Sequence, residues 1–397
     1  MKILFLEWDS WGKKYVLRAL EQLGYNVQRI EFDYEKNNNM QYEEKLKKLL
    51  LSKHYDVVFS LNYFAVIANA CHAVGVPYVS WIYDSPLMQV WNESAFYSEN
   101  TIFCFDQGLC DTLKKRGVER IFYMPLASDT DCIENVKLEQ EEIEQLSSEV
   151  SFVGTFYDKK TDIEEALEAN GMDFLQGYSD AIIEAQLLIS GYPFLEELTE
   201  LEDIKNKIEA FMVQNEKEKT FAPLHINYAN YYLLSEVTKR ERRKIIEAVA
   251  EHFPLDVYTT SDISMIPKAM NKGPISYYTI MPFVFKYSKI NLNITLRTIK
   301  TGIPLRAMDI MSAGGFLLTN YQEDMLKHFE PGVDFVYYLN EEDLLEKIEY
   351  YLTHEEERKQ IARNGQEKVK KNHSYKVTLD KMLRFALKGE TYENWGM

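Results

Sequence analysis

Long apolar runs are missing from this chain. No segment approaches the roughly 18 uncharged apolar residues that a membrane-crossing helix needs. The amino terminus, MKILFLEWDS, has five apolar residues before Glu7 and Asp9, too few for a secretory leader, so a cytoplasmic protein without integral membrane association is expected. Cysteine is scarce. Cys71, Cys104, Cys110 and Cys132 show no C-x-x-C spacing, which argues against a disulfide framework or a zinc site and for buried thiols in a reducing compartment. The seven histidines show no H-E-x-x-H or similar ligand spacing. G-x-G-x-x-G and G-x-x-x-x-G-K-[ST] are both absent, which weighs against nicotinamide enzymes and P-loop ATPases. Without a G-x-S-x-G elbow, serine hydrolase chemistry has no support. Positive charge is also short: 45 basic against 62 acidic residues give a formal net charge of −17, which disfavours nucleic acid or an anionic membrane as main partner.

Apolar mass is plentiful. With 397 residues, 46% of them hydrophobic and 13% aromatic, the chain can build two cores. In the first third, the runs MKILFLEW, YNVQRIEF, YDVVFSLN, PYVSWIYD, TIFCFD and RIFYMPLA alternate with helical patterns over 11–23, 42–54, 64–74 and 108–116. Gly24, Gly75 and Gly117 stand as helix stops. This is the signature of a doubly wound parallel α/β sheet. The acidic stretch LEQEEIEQLSSE, 138–149, reads as a linker or surface helix, and a second α/β series follows: EVSFVGTF, LDVYTT, ISYY, KINLNIT, FLLTN and DFVYYL. A helical region over about 158–252 is too long for one crossover and reads as an insertion. The expected domains are therefore 1–137 and 138–374, each Rossmann-like, with a cleft between them, and a helical end over 375–397 that packs back on the first.

The segment 291–320, NLNITLRTIKTGIPLRAMDIMSAGGFLLTN, reads as strand, basic loop, helix and strand. Pro304 suits the first helical position, and Gly314 and Gly315 suit its end. Such a loop lies at the carboxyl end of its strand, where open α/β sheets bind ligands. Arg297, Lys300 and Arg306 bracket the helix start, and Gly302 lets backbone come close, a combination that suits a phosphate or diphosphate. Asp309, three residues after Arg306, can accept from ribose hydroxyls; the alternative is a solvated Arg306–Asp309 ion pair on a surface helix.

Other candidates have alternatives of their own. Gly154 and Thr155, at the end of the second domain's first strand, form either a phosphate approach point or a plain turn; Lys159 and Lys160 add charge there or are solvated. In the first domain Trp8 and Asp9, Asn62 and Tyr63, Asp84 and Ser85, and Asp106 and Gln107 all follow strands and share one sheet edge. Singly they suit helix caps, with Asp84-Ser85-Pro86 fitting a cap and a helix-opening proline; together they suit a hydroxyl-rich ligand. Asp129-Thr130-Asp131 has the D-x-D form of metal-dependent sugar transferases, but a turn needs Asp there anyway, and no metal is expected.

Several longer motifs carry a family resemblance: WIYDSP around Asp84, SFVG ending at Gly154, GPISYYTIMPFVFKYSKINLNITLR from Gly273, GIPLRAMDIMSAGGFLLTNYQEDM from Gly302, and HFEPGVDFVYY from His328. In these the chain resembles the bacterial spore-maturation (CgeB-like) glycosyltransferases with a DUF3880-type amino-terminal domain. That family is in turn similar to the retaining GT-B glycosyltransferases, whose donor helix bears two Glu residues eight positions apart. The second falls on Asp309 and the first on Thr301, so hexose contacts would pass to Arg297, Lys300 or the Thr301 hydroxyl.

The resemblance implies a hexosyltransferase that moves a sugar from a nucleoside diphosphate donor, UDP-linked, to a polysaccharide or protein acceptor. It implies a retaining, metal-independent reaction with no cofactor, and a nucleobase near Tyr277. Gly154, Thr155, Arg297, Lys300, Thr301, Gly302, Ile303, Arg306 and Asp309 would form the donor wall, with Arg297, Lys300 and Arg306 neutralising the leaving diphosphate, Arg297 and Lys300 as candidate catalytic groups, and Asp309 holding the ribose. Trp8, Asp9, Asp84 and Ser85 would face the acceptor, Asp84 being the candidate catalytic group. The other class open to this sequence is an inactive nucleotide-sugar or glycan binding module of the same fold.

Overall fold

The computed structural model describes residues 1–389 except 132, 134–135, 171, 190 and 216–220. Cys132 therefore lies outside the described residues. Cys71, Cys104 and Cys110 are free and buried. Two compact units are present. Among the described residues, one comprises Met1–Ser128 and 371–389, and the other nearly all of the chain between Asp129 and Lys370. No helix among the described residues is long and apolar enough to cross a membrane.

The first unit contains a parallel sheet of β1 (Lys2–Glu7), β2 (Asn26–Glu31), β3 (Val57–Leu61), β4 (Tyr78–Ile82), β5 (Asn100–Cys104) and β6 (Ile121–Tyr123) in the order β2-β1-β3-β4-β5-β6. Every residue of β3, β4 and β5 is buried. Val57, Val58, Phe59, Val79, Trp81, Ile102 and Phe103 supply most of that buried surface, and because helices cover both faces of a parallel sheet the few polar residues, Ser60, Ser80, Asn100 and Thr101, are buried with them. Chain order reverses between β1 and β3, which makes the carboxyl ends of these two strands the switch point. The helix Tyr375–Lys388 completes this unit. Tyr375 meets Tyr15 and Trp81, and Phe385 meets Phe103 and Phe122.

The second unit repeats the plan with β7 (Val150–Val153), β8 (Leu255–Tyr258), β9 (Met270–Asn271), β10 (Ile290–Asn293), β11 (Leu317–Asn320) and β12 (Val336–Tyr338) in the order β12-β11-β10-β7-β8-β9, all parallel. Its switch point lies between β7 and β10. Val150, Phe152, Val257, Ile290, Leu292 and Leu318 join Ile246 and Val249 from the helix Leu234–His252 in one core. The expected strand ISYY is not one. Gly273 turns the chain at φ 75°, Pro274 has no amide to donate, and the Ser276 carbonyl accepts from the Ile280 and Met281 amides, winding these residues into a turn before the helix Met281–Tyr287. The edge strand is instead the exposed pair Met270–Asn271.

The region after β7 forms a helical bundle: Asp162–Asn170, Asp173–Leu187, Leu195–Thr199, Glu202–Asn215 and Leu224–Tyr228, packed around Ile183, Leu195, Ile208, Phe211 and Tyr228. It runs through a π-helical segment, Ala229–Leu233, into the long helix Leu234–His252 that covers the sheet.

Candidate functional site

The helix Leu305–Ser312 starts one residue later than its proline suggested. Pro304 is its cap, at φ −67° and ψ 146°. Gly314, at φ 77°, ends it by donating to Met311, while the Gly315 amide donates to Ile310. No side chain would fit at Gly315, where a Cβ would stand 2.8 Å from Asn291 Nδ2 and still closer to the Phe285 carbonyl oxygen. The loop before the helix is anchored at its base: the Thr295 amide donates to Asn320 Oδ1 (2.8 Å) and the Arg297 amide to Thr238 Oγ1 (3.0 Å).

Two arginines gather where β7 and β10 end. Arg306 Nε donates to the Val153 carbonyl (3.1 Å), its Nη1 reaches Met281 Sδ (2.6 Å), and its guanidinium lies over the Phe285 ring at 5.5 Å. Arg242, from the helix Leu234–His252, donates to the Ile294 carbonyl through Nε (3.2 Å) and Nη2 (2.6 Å) and to the Thr155 carbonyl through Nη1 (2.5 Å). Its guanidinium lies 5.6 Å and 5.2 Å from the centres of the Phe152 and Tyr157 rings. Burial pushes its pKa below the ordinary arginine value; Tyr157 and Glu241 oppose the shift and Arg306 adds to it.

Asp309 is buried rather than solvated. Tyr277 Oη donates to its Oδ1 (3.2 Å), and Arg306 Nη1 lies 3.5 Å from its Oδ2. The reading of Arg306 and Asp309 as a solvated surface pair is thereby overturned, because the helix turns Asp309 inward among Ala307, Met308 and Ile310. Gly302 and Ile303 are buried, and Thr301 Oγ1 donates to Asp324 Oδ2 (3.1 Å). Arg297 and Lys300 are held by carboxylates. Arg297 pairs with Glu241 through Nε (2.8 Å) and Nη2 (2.5 Å), and Lys300 Nζ pairs with Glu196 Oε2 (2.5 Å). Thr155 is exposed. Gly154 does not present its amide as expected, since that amide donates to the Tyr258 carbonyl (3.2 Å) where β7 pairs with β8. Lys159 and Lys160 are exposed, and Lys160 pairs with Glu168.

In the first unit, Trp8 spans the switch point, its Nε1 donating to the Leu61 carbonyl (2.7 Å) at the end of β3. Asn62 sits in the left-handed region at φ 62°. Its Oδ1 accepts from the Tyr83 (2.8 Å) and Asp84 (3.1 Å) amides, and its Nδ2 donates to Asp84 Oδ2 (2.5 Å). Asp84 keeps one face open to solvent, yet burial of the other pushes its carboxyl above the usual range, with Asn62 opposing. It caps no helix. The next helical turn is Met88–Trp91 and its cap position is Leu87, so the capping reading fails there. Asp106 does cap, accepting from the Gly108 amide (3.0 Å), and Asp9 is a fully exposed partner of Lys13 (3.3 Å).

Arg242, Glu241, Glu196 and Asn230 carry no motif and were not expected. For Arg242 a signal existed: Leu234, Thr238, Arg242, Ile245 and Val249 are all buried at helical spacing, so the arginine lies on the apolar stripe of its helix.

Residues 240–384 match a family model described as glycosyl transferase-like. No curated protein sequence matches the chain. Among solved structures, the chain is similar to the Anabaena protein HepE in complex with UDP-glucose, at 11% identity and a TM-score of 0.57 over 98% of this chain and 100% of that one. It is likewise similar to sucrose-phosphate synthase from Thermosynechococcus elongatus, at 8% identity and a TM-score of 0.56 over the same shares. A glycosyltransferase from Rickettsia africae matches at 11% identity and a TM-score of 0.51 over 98% of each chain. The chain has the two-sheet GT-B fold of these structures, and its residues 240–384 resemble the glycosyl transferase-like family.

Proposed function

We propose that this chain is a glycosyltransferase that moves a hexose from a UDP-linked donor to a polysaccharide or protein acceptor, by a retaining and metal-independent reaction. The observation that carries the reading is the convergence of Arg242, Arg306 and the start of the Leu305–Ser312 helix on the switch point between β7 and β10. A leaving nucleoside diphosphate develops negative charge. Fixed guanidinium groups and first-turn amides offset such charge without a metal ion. Asp309, already oriented by Tyr277, supplies the acceptor for ribose hydroxyls, and the turn that holds Tyr277 and Tyr278 is the place for the base. The match of residues 240–384 to a glycosyl transferase-like family supports the reaction class. UDP and UDP-glucose in the HepE structures support the choice of nucleotide. On the acceptor side, Asp84 is the proposed catalytic group, because Asn62 fixes its carboxylate just beyond β4 and burial pushes its carboxyl above the usual range; Trp8, Asp9 and Ser85 are the proposed acceptor contacts.

Calorimetric titration with UDP, GDP, ADP and dTDP, alone and as hexose conjugates, tests the donor. UDP forms should bind best, and Asp309→Asn should weaken UDP binding by about 1–3 kcal/mol through loss of a charge-assisted hydrogen bond. Unchanged affinity removes Asp309 from the ribose. Slow hydrolysis of the donor without acceptor separates an enzyme from a binding module of the same fold.

A further inference from the structure

The helical insertion places a carboxylate on the loop that opens the donor helix. Glu196 belongs to the short helix Leu195–Thr199, and its Oε2 accepts from Lys300 Nζ, four residues before the Pro304 cap. Its other oxygen is held too. Asn230 Nδ2 donates to Glu196 Oε1 (2.9 Å) while also donating to the Ile226 carbonyl (3.0 Å). Asn230 is buried within the π-helical segment Ala229–Leu233, an irregularity that costs regular helix bonding and recurs at functional sites. The same loop is tied to the bundle a second time, by Arg297 Nη1 donating to the Ile189 carbonyl (3.4 Å).

A carboxylate oxygen has two acceptor directions. With one donor from Lys300 and one from Asn230, Glu196 is fixed in orientation and can still accept at each oxygen, and its side chain is 16% exposed. Such a group repels the oxygens of a diphosphate and attracts hydroxyl donors. Two fixed acceptors side by side suit the vicinal hydroxyls of a sugar ring. Thr301, the neighbour of Lys300, commits its one hydroxyl proton to Asp324, and it carries no charge to strengthen a bond from a sugar hydroxyl as the Glu196 carboxylate does.

We infer that Glu196, supplied by the insertion rather than by the nucleotide-binding sheet, is the specificity-determining residue that accepts hydrogen bonds from hydroxyls of the donor sugar, with Asn230 as its positioning residue. The inference rests on the donor reading above. Titration of the full-length protein with UDP and with UDP-glucose, UDP-galactose and UDP-N-acetylglucosamine tests it. In the wild type the preferred UDP-sugar should bind at least tenfold tighter than UDP. Glu196→Gln should reduce that advantage to threefold or less and leave UDP affinity within threefold. Asn230→Ala should reduce it in the same direction with UDP again unchanged, a selective loss that general loosening of the bundle would not give. Equal losses for UDP and UDP-sugar in both variants, or an intact sugar advantage in Glu196→Gln, overturn the inference while leaving the donor site standing. More than tenfold tighter UDP binding in Glu196→Gln also overturns it, since Glu196 would then be a competitor of the diphosphate for Lys300. If the wild type binds none of UDP, GDP, ADP and dTDP, the donor reading itself falls, and this inference with it.

Discussion

Arg242 shows how one side chain ties the candidate site to the stability of its unit. Its three donors satisfy carbonyls of Thr155 and Ile294, the residues that follow β7 and β10, and it packs between Phe152 and Tyr157. Replacement by methionine keeps apolar contact with the rings but leaves two carbonyls without this donor, at about 1–3 kcal/mol each where burial is complete. Arg242→Met should therefore lower the stability of the second unit by roughly 3 kcal/mol in urea unfolding. Arg242→Lys should recover only part, because an ammonium cannot reproduce the planar guanidinium fork. A change below 0.5 kcal/mol for the methionine variant would show that water replaces the arginine at both carbonyls. The residues in the 291–320 loop were legible because Pro304, Gly314 and the basic side chains bear on backbone geometry and charge. Their partners were not: Glu196 and Asn230 are distant in sequence and ordinary in type, and only the folded bundle brings them to Lys300.

Among the elements, the bundle contains a buried titratable group outside the candidate site. His225 opens the helix Leu224–Tyr228 and faces Glu209, 3.5 Å away, and Lys205 on the helix Glu202–Asn215. Burial lowers its pKa, Lys205 adds to the shift and Glu209 opposes it. A histidine whose folded pKa is depressed supports the fold above its unfolded value, about 6.5, and loses that support as pH falls toward the folded value. Amide exchange in Glu202–Asn215 and Leu224–Tyr228, corrected for intrinsic rates, should therefore show less protection at pH 5.5 than at pH 7.5. His225→Gln should remove most of that difference; a difference of full size in the variant would place its origin elsewhere. Elements also mark the limit of sequence reading. A long amphipathic helix states which face it buries, and a mainly apolar strand states that it is buried. ISYY failed because a proline before it and a turn after it outweigh its β-rich composition, and Met270–Asn271 is too short and polar to register.

At the level of the whole molecule, the chain builds one parallel sheet, then a second, and returns to the first with its last described helix. Tyr375, Leu379, Met382 and Leu383 of that helix are each at most 4% exposed. Gly12 is fitted to it: at φ 77° it caps the helix Lys13–Gln22, and any Cβ there would collide with Tyr375 Oη. The stability of Met1–Ser128 thus depends on residues at the far end of the sequence. Burial of four large apolar side chains contributes about 1.5–3 kcal/mol each as an upper estimate, a sum comparable with the roughly 5–15 kcal/mol that separates a folded domain from its unfolded chain. A chain ending at Ser374 should consequently lose cooperative folding of Met1–Ser128 while β7–β12 persist. Limited proteolysis followed by mass spectrometry reads this directly, with early cuts within Met1–Ser128 and protection across Val150–Tyr338. A truncated protein whose first unit resists protease as the full chain does would show that the six-stranded sheet and its own helices suffice, and that the terminal helix serves some purpose other than closing the core.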